Sequence, residues 1–452
     1  MKWTMAVLML ASSVCAAAQT ATVNASSVYQ PIDGFGAASA FAGQVPDFVI
    51  KTGYSASAIG LKYIRVNLVP YFADCVAFYG NGNCVKTGSG ATISTADLAN
   101  TQTAVASGAL LWATEWSPPG PMKTNGSYLT GGSLIGNAVN YTALAAAQAS
   151  FVKLMMGTYG IPVYAISVQN EPNVSTKYPS CTWTSGQFDE YVPYLHRALA
   201  AAGHPDTKIM IAEPGHWNYN YMQKAMTDPA AAPLVGIVAA HAYTGGSPPT
   251  TPAYLPTEYN YALSSSQHLW ETEVSDAQDK YDGSMTNGLI YALDIHKWLT
   301  IAKVNSWHYW EISGQHYTDN EGLTSQTNQL AKRAFVMGNW ARFATGMFEI
   351  AAIANPQPGI YVTAFVNPST GALLIVAINV NSGPVSQKFS ISNQSGPATY
   401  SIVPYITDPN SNLAVQAPLQ VTGSNFTAML TGSSVTSLVA PAVDSRQYHR
   451  KP

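Results

Sequence analysis

The chain has 452 residues, 47% of them hydrophobic, enough to fill the core of one large domain and a smaller one. Charged residues make up only 10% and the formal net charge is −3, which argues against an electrostatic hold on nucleic acid or anionic lipid and for an uncharged partner. Aromatic residues supply 11%, with 26 Tyr and 10 Trp; most belong in a core, but a surface poor in charge and rich in rings suits stacking on the apolar faces of sugars.

Residues 1–18 read as an export signal: Lys2 gives a positive start, Ala6 to Ala11 an apolar run, and Ala16-Ala17-Ala18 before Gln19 the small-residue pattern of cleavage. The expected location is therefore secreted or periplasmic. Val14 stands where a lipoprotein signal needs a small residue, so Cys15 is discarded with the leader. No later stretch is long and apolar enough to cross a bilayer. Residues 19–31, containing ATVNASSVYQ, have strand character and are expected to join a β domain.

Eight β-type runs follow: IDGFGAASAF from Ile32, YIRVNL from Tyr63, ALLWATEW from Ala109, VYAISVQNE from Val163, KIMIAEPG from Lys208, VGIVAAHAY from Val235, HLWETEVS from His268 and NSWHYWEIS from Asn305. Helical periodicity lies between them at 141–158, 187–202 and 286–302, and again at 328–345. Strands alternating with helices predict an α/β fold, a closed (β/α)8 TIM barrel over 32–345. A doubly wound open sheet is the alternative, and no GxGxxG turn supports its nucleotide-binding form. From 346 to 446 alternating runs such as IYVTAFV and ALLIVAINV, separated by NPSTG and NSGP turns, predict an appended all-β sandwich.

Beyond the leader there are three cysteines. Cys75 and Cys84 bracket a polar loop, FYGNGN, and are expected to form a disulfide; Cys181 is left over, and the spacings do not resemble a zinc site.

Ligands of such a barrel bind at the C-terminal ends of its strands, and these ends are unusually polar: Arg65 and Asn67, Glu115 and Trp116, Asn170 and Glu171, Glu213 with His216 and Trp217, His241 and Tyr243, Glu271 and Glu273, Trp310 and Glu311. With only 24 acids in the chain, their clustering at one rim points to an enzyme. Two carboxylates facing each other between aromatic walls suit hydrolysis of a glycosidic bond, one protonating the leaving oxygen and the other attacking or activating water. Glu171 suits the acid: Pro172 fixes the backbone where strand becomes loop, and Asn170 can bond a sugar hydroxyl or the partner carboxylate.

SVQNEPN and LWETEVSD, with IDGFGAASAF, LWATEWSPPGPMK, AHAY and AFVMGNWARF, resemble the glycoside hydrolases of clan A, family 30 in particular, over essentially the whole mature chain. The resemblance implies a retaining mechanism with Glu171 as acid/base and Glu273 as nucleophile, 273 − 171 = 102 positions apart. Glu273 is preferred to Glu271 because it lies one pleat nearer the open end and follows Thr272; Glu271 is then a buried, paired acid or a groove residue. Arg65 resembles the arginine that orients the nucleophile, Tyr243 is expected to hydrogen-bond it, His241 to line the sugar site, and Trp116 and Trp310 to stack on sugar rings. No cofactor or metal is implied.

Xylanases of this family that require glucuronic acid hold its carboxylate with an arginine in the loop after strand eight. Here that loop, SGQHYTDNEGLTS, has no Arg or Lys, only His316, and carries Asp319 and Glu321. The sequence therefore predicts a monomeric endo-β-1,4-xylanase acting on hemicellulose without strict need of uronic acid branches. A β-1,6-glucanase or β-1,6-galactanase of the same family is the near alternative; a non-catalytic carbohydrate-binding protein and a metal-dependent hydrolase are more distant ones.

Overall fold

The computed structural model describes residues 19–87, 90–243, 259, 263–354, 356–393 and 399–440. The export signal expected at residues 1–18 lies outside them. The chain enters as β1 (Thr20–Pro31) and then lays down β2 (Gly34–Ala38), β3 (Tyr63–Leu68), β4 (Leu110–Glu115), β5 (Val163–Ser167), β6 (Lys208–Ala212), β7 (Ile237–Ala240), β8 (His268–Glu271), the short β9 (Asp276–Lys280) and β10 (Ser306–Glu311). Strands β2 to β8 pair in parallel in chain order, and β10 closes the barrel between β8 and β2. Each of the eight apolar runs thus forms one barrel strand. Covered on both faces, these strands need apolar residues throughout rather than alternation.

Helices α1 (Asp47–Tyr54), α2 (Phe72–Tyr79), α3 (Thr95–Ala106), α4 (Ala138–Lys153), α5 (Ser185–Ala201), α6 (Asn220–Thr227), α7 (Met285–Lys297) and α8 (Lys332–Ala344) accompany the barrel strands. Local chemistry starts several of them. Ser94 and Asn137 accept the first free N–H groups of α3 and α4, and a reciprocal Thr184–Gln187 capping box opens α5. Helices α4 and α7 each run on into a π turn, Leu154–Thr158 and Trp298–Ala302, reaching the points where the sequence periodicity ends.

Cys75 and Cys84 are joined by a disulfide, and Cys181 is free and buried. The segment between the paired cysteines is not all loop as expected. Cys75 sits within α2, which continues through Tyr79 until Gly80 turns the chain at φ 90°.

Tyr63, Trp112, Met210 and Trp270 pack into one apolar cluster inside the barrel, together with Ala165, Ile237 and Ala239. The Asp33 carboxylate takes up the polar edge of this plug, accepting from Trp270 Nε1 at 2.7 Å and lying 2.6 Å from His268 Nδ1. With rings filling this part of the interior, the barrel's mouth lies toward the strands' C-terminal ends.

The remaining strands are β11 (Asp319–Asn320), which pairs antiparallel with β9, then β12 (Phe348–Ala354), β13 (Ile360–Val366), β14 (Leu373–Asn379), β15 (Val385–Ser392), β16 (Thr399–Thr407), β17 (Ala414–Val415), β18 (Leu419–Thr422), β19 (Asn425–Leu430) and β20 (Ser434–Ala440). From β12 on they form, with β1, a sheet ordered β17-β16-β18-β19-β15-β1-β12-β13-β14-β20, which an additional β16–β20 pairing folds back on itself. β1 lies between β12, antiparallel, and β15, parallel. One face encloses Val23, Val362, Ile375, Phe389 and Leu438. Phe365, Leu374, Val376, Ile378 and Val435 instead share the barrel's core with Val336 and Trp340 of α8. Asn339 fixes the register there: its Nδ2 donates to Ser437 Oγ at 2.8 Å while its carbonyl accepts from that hydroxyl at 2.7 Å.

Candidate active site

The strand ends are turned sharply. Glu171 and Glu213 both adopt left-handed backbone, at φ 44° and 54°, which non-glycine residues seldom do outside sites that over-determine it. The two are stitched together, Glu171 N donating to the Glu213 carbonyl at 2.9 Å, while Asn170 N donates to the Glu115 carbonyl at 2.8 Å. Across the barrel, β8 ends at Glu271, and Glu273 is set by its own N–H donating to Glu271 Oε1 at 2.9 Å.

Arg65 stands at the centre of what results. Its Nη1 donates to Glu273 Oε2, its Nη2 to Asn170 Oδ1 at 2.6 Å and Glu213 Oε1 at 3.1 Å, and its Nε to Thr114 Oγ1 at 3.3 Å. Tyr243 donates to the other oxygen of Glu273 at 3.1 Å. Tyr178, from the loop after β5, donates to Glu171 Oε2 at 3.2 Å. His241 is fully buried among three carboxylates, with Nδ1 3.5 Å from Glu171 Oε1 and Nε2 3.4 Å from Glu213 Oε1 and 3.6 Å from Glu273 Oε2. Burial disfavours the imidazolium, but Glu273, Glu171 and Glu213 outweigh it and push the ring up to about 10.

The carboxyls divide by environment. Burial raises Glu213, but Arg65 and His241 more than offset it and hold the group below the usual carboxylate range. Burial likewise opposes ionisation of Glu171, and the His241 imidazolium overcomes it, so that carboxyl too lies low. Glu273 lies above its usual value: burial, with the Glu171 charge, outweighs His241 and Arg65. Glu271 is buried and raised far up by that burial, yet its partners are the backbone N–H groups of Glu273 and His308 rather than a cation.

A cavity of about 690 Å³ opens above this cluster, lined among others by Phe41, Phe78, Trp116, Asn170, Glu171, Tyr178, Tyr243, Glu273, Trp310, Tyr317 and Glu321. Of the residues singled out from sequence, Trp116, Asn170, Glu171, His216, Tyr243, Glu273, Trp310 and Glu321 line it. Arg65 and His241 do not: they lie beneath it, holding the carboxylates rather than facing a ligand. Trp116 is only 2% exposed, with the Arg65 guanidinium 4.5 Å from its ring centroid, so Trp310 and Phe41 leave more ring surface open to the cavity. Glu115 is buried away from the cleft, receiving Gln148 Nε2 at 3.0 Å, and burial pushes it up to about 8. Glu311 is buried too and carried far up by that burial.

Sequence reasoning missed Phe41, Phe78, Tyr178 and the role of Glu213. Phe78 and Tyr178 come from α2 and from a loop, where no strand-end rule applies, whereas Phe41 closes the first apolar run, IDGFGAASAF, and could have been read from its end. The disulfide was the available signal for Phe78, since Cys75 and Cys84 clamp the segment that carries it.

One oxygen of Glu171, one of Glu273 and a ring nitrogen of His241 lie within 4.8 Å of one another. A metal would have to displace the proton that the surrounding carboxylates favour on His241, and the Arg65 charge adds to the repulsion. The arrangement is instead two carboxyls facing a cavity, braced by internal cations. That geometry, on a closed parallel barrel, defines the class of barrel glycoside hydrolases.

Residues 33–314 match the glycosyl hydrolase family 30 TIM-barrel domain. The chain belongs to glycosyl hydrolase family 30 and is a glycosidase of that family. Glucuronoxylanase XynC of Bacillus subtilis (strain 168) is 26% identical to it over 438 residues, spanning 94% of this chain and 92% of its own. The family 30 subfamily 8 xylanase Xyn30A from Clostridium acetobutylicum superposes with a TM-score of 0.78 at 30% identity, over 94% of this chain and 100% of the other. A family 30 endoxylanase from Clostridium papyrosolvens C71 gives a TM-score of 0.71 at 26% identity with the same coverage. No helix among the described residues is long and apolar enough to cross a membrane.

Proposed function

We propose that the protein is an exported, retaining endo-β-1,4-xylanase that cuts hemicellulose without requiring glucuronic acid branches. The observation that carries this reading is the approach of Glu171 and Glu273, whose oxygens lie within 4.8 Å at the cavity floor. Retaining enzymes hold their carboxyls about 5–5.5 Å apart, whereas inverting ones need about 6.5–9.5 Å to admit a water.

Glu273 is the nucleophile. Arg65 and Tyr243 both donate to it and aim it at the anomeric carbon as its bond to the leaving oxygen breaks. Glu171 gives the proton to that oxygen. The surrounding carboxylates favour the proton on His241, whose Nδ1 faces Glu171 Oε1 at 3.5 Å. A sugar that excludes water favours the neutral pair, imidazole and carboxylic acid, over the ionic one, and so charges Glu171 for protonation. In the second half-reaction Glu171 takes a proton from water as the water displaces Glu273 from the sugar, and configuration is retained overall.

The xylanase relatives support the substrate class, and the wall after β10 supports tolerance of neutral chains. Glu321 lines the cavity beside Trp310 and Tyr317 where a uronate would need a cation. Residues 1–18 support export. Comparable rates of reducing-sugar release from neutral xylan and from glucuronoxylan are expected. Activity confined to glucuronoxylan, or to β-1,6-glucan, would overturn the assignment.

A further inference from the structure

The structure assigns Glu213 as a positioning residue that never meets the sugar: it keeps the proton on His241 and turns Arg65 toward Glu273. The inference rests on the retaining reading above and names a residue beyond the two reacting carboxylates.

Glu213 is 0% exposed and does not line the cavity. A buried carboxylate is costly unless fully partnered. Here every partner is present: Oε1 takes Arg65 Nη2 at 3.1 Å and faces His241 Nε2 at 3.4 Å, and Oε2 takes Thr114 Oγ1 at 3.0 Å and Ser167 Oγ. The hydroxyls fix the carboxylate, so its charge falls on the two cations. Each cation has its other end on the reacting pair, Arg65 on Glu273 and His241 Nδ1 toward Glu171. Its carbonyl also receives Glu171 N.

Other charges face the imidazole as well. Glu171 and Glu273 are its remaining anionic neighbours, and Glu271 lies near enough to act on it. Tyr243 packs against it at 5.9 Å between ring centroids. Arg65 opposes its charge from Glu213's other side, and His308 is neutral, burial holding it down to about 3. Glu171 and Glu273 change partners or charge through the reaction, whereas Glu213 does not. It is therefore the constant anion that keeps His241 ready to hand on a proton.

The test compares Glu213→Gln with Glu213→Asp, beside a direct reading of His241. Gln keeps the shape and can donate to Thr114 and Ser167 while removing the charge; Asp keeps the charge. A charge at this distance moves a neighbour by about 1–3 pH units. E213Q is expected to shift both limbs of the kcat/KM profile on an aryl β-xylobioside toward acid by about one unit, while E213D loses turnover with the profile unmoved. Imidazole 15N shifts of the wild-type protein, assigned against His241→Gln, should show His241 still protonated at pH 8, and its titration midpoint displaced toward acid by about 1–3 pH units in E213Q but not in E213D. Equal losses in both variants with unmoved limbs, or a neutral His241 in the wild type at pH 7, would overturn the assignment. The wild-type spectrum can overturn the assignment even should E213Q not fold. It does not depend on activity, so failure of the xylanase reading would appear separately, as a wild type inert on every xylan.

Discussion

Gly215 offers the sharpest probe of proton donation, because its missing side chain is what leaves room for Glu171. A Cβ built there would stand 2.7 Å from Glu171 Oε1, where 3.4 Å is the start of ordinary contact. Gly215→Ala must therefore drive that oxygen back by about 0.7 Å, from 3.4 − 2.7. Gly215 is not among the residues with left-handed backbone, so alanine brings no φ strain and the melting temperature should hardly move. Misplacing a reacting group by about 1 Å costs about 100-fold, or roughly 2.7 kcal/mol, so the variant should lose about 10–100-fold in kcat/KM on xylan. The loss should depend on the leaving group. A 2,4-dinitrophenyl xylobioside, whose phenolate departs almost unaided, should lose no more than about 3-fold. Equal losses on both substrates, or none on xylan, would refute the idea that Glu171 supplies the proton.

Glu273→Gly with added azide should release the leaving group of an activated aryl glycoside and form a glycosyl azide of inverted configuration; Glu271→Gly, identified by product analysis in the same way, should not be rescued. Stability should fall as pH rises: burial pushes the Asp97 and Asp294 carboxyls up to about 7 from 3.8, so their contribution is complete below about pH 4 and fades toward 7. Glu213, held low, works the other way only below its usual range, so calorimetry between pH 5 and 8 should show a declining melting temperature, with a flatter slope in Asp97→Asn. Removing both disulfide cysteines (Cys75→Ala with Cys84→Ala) should cost about 2–3 kcal/mol in denaturant unfolding, a modest figure because the loop is short. It should also raise KM, since Phe78 in the cavity wall sits between them.

The barrel was legible because its period is carried by the residues themselves: two-sided burial makes each strand a continuous apolar run, and the polar residues at each run's end mark the rim. That rule reached Glu171, Glu273, Trp310 and Tyr243, which the structure brings to one cavity. It could not say which way a rim residue points. His241 and Arg65 stand on the same strand ends yet lie under the cavity floor, and Glu115 turns away toward Gln148. Glu213 was ambiguous for a further reason, since its direction follows from a left-handed φ that no spacing announces. The walls given by Phe78 and Tyr178 depend on how α2 and the loop after β5 pack across the rim, which no strand period announces, while Phe41 stood at the end of the first apolar run and was within the rule's reach.

The placement of β1 bears on how the molecule is made. Residues of β1 pair with Ala351–Ala354 on one side and Lys388–Ser392 on the other, so both of its neighbours are in place only once more than four-fifths of the polypeptide has been synthesised. Pairings of such separation form late and slowly. A chain cut after the barrel's last helix would leave that first strand without either neighbour and bare the apolar side chains that Phe365, Leu374 and Val376 cover. Trimming the enzyme to its catalytic barrel should therefore yield aggregate rather than a smaller hydrolase, whatever the integrity of the cleft.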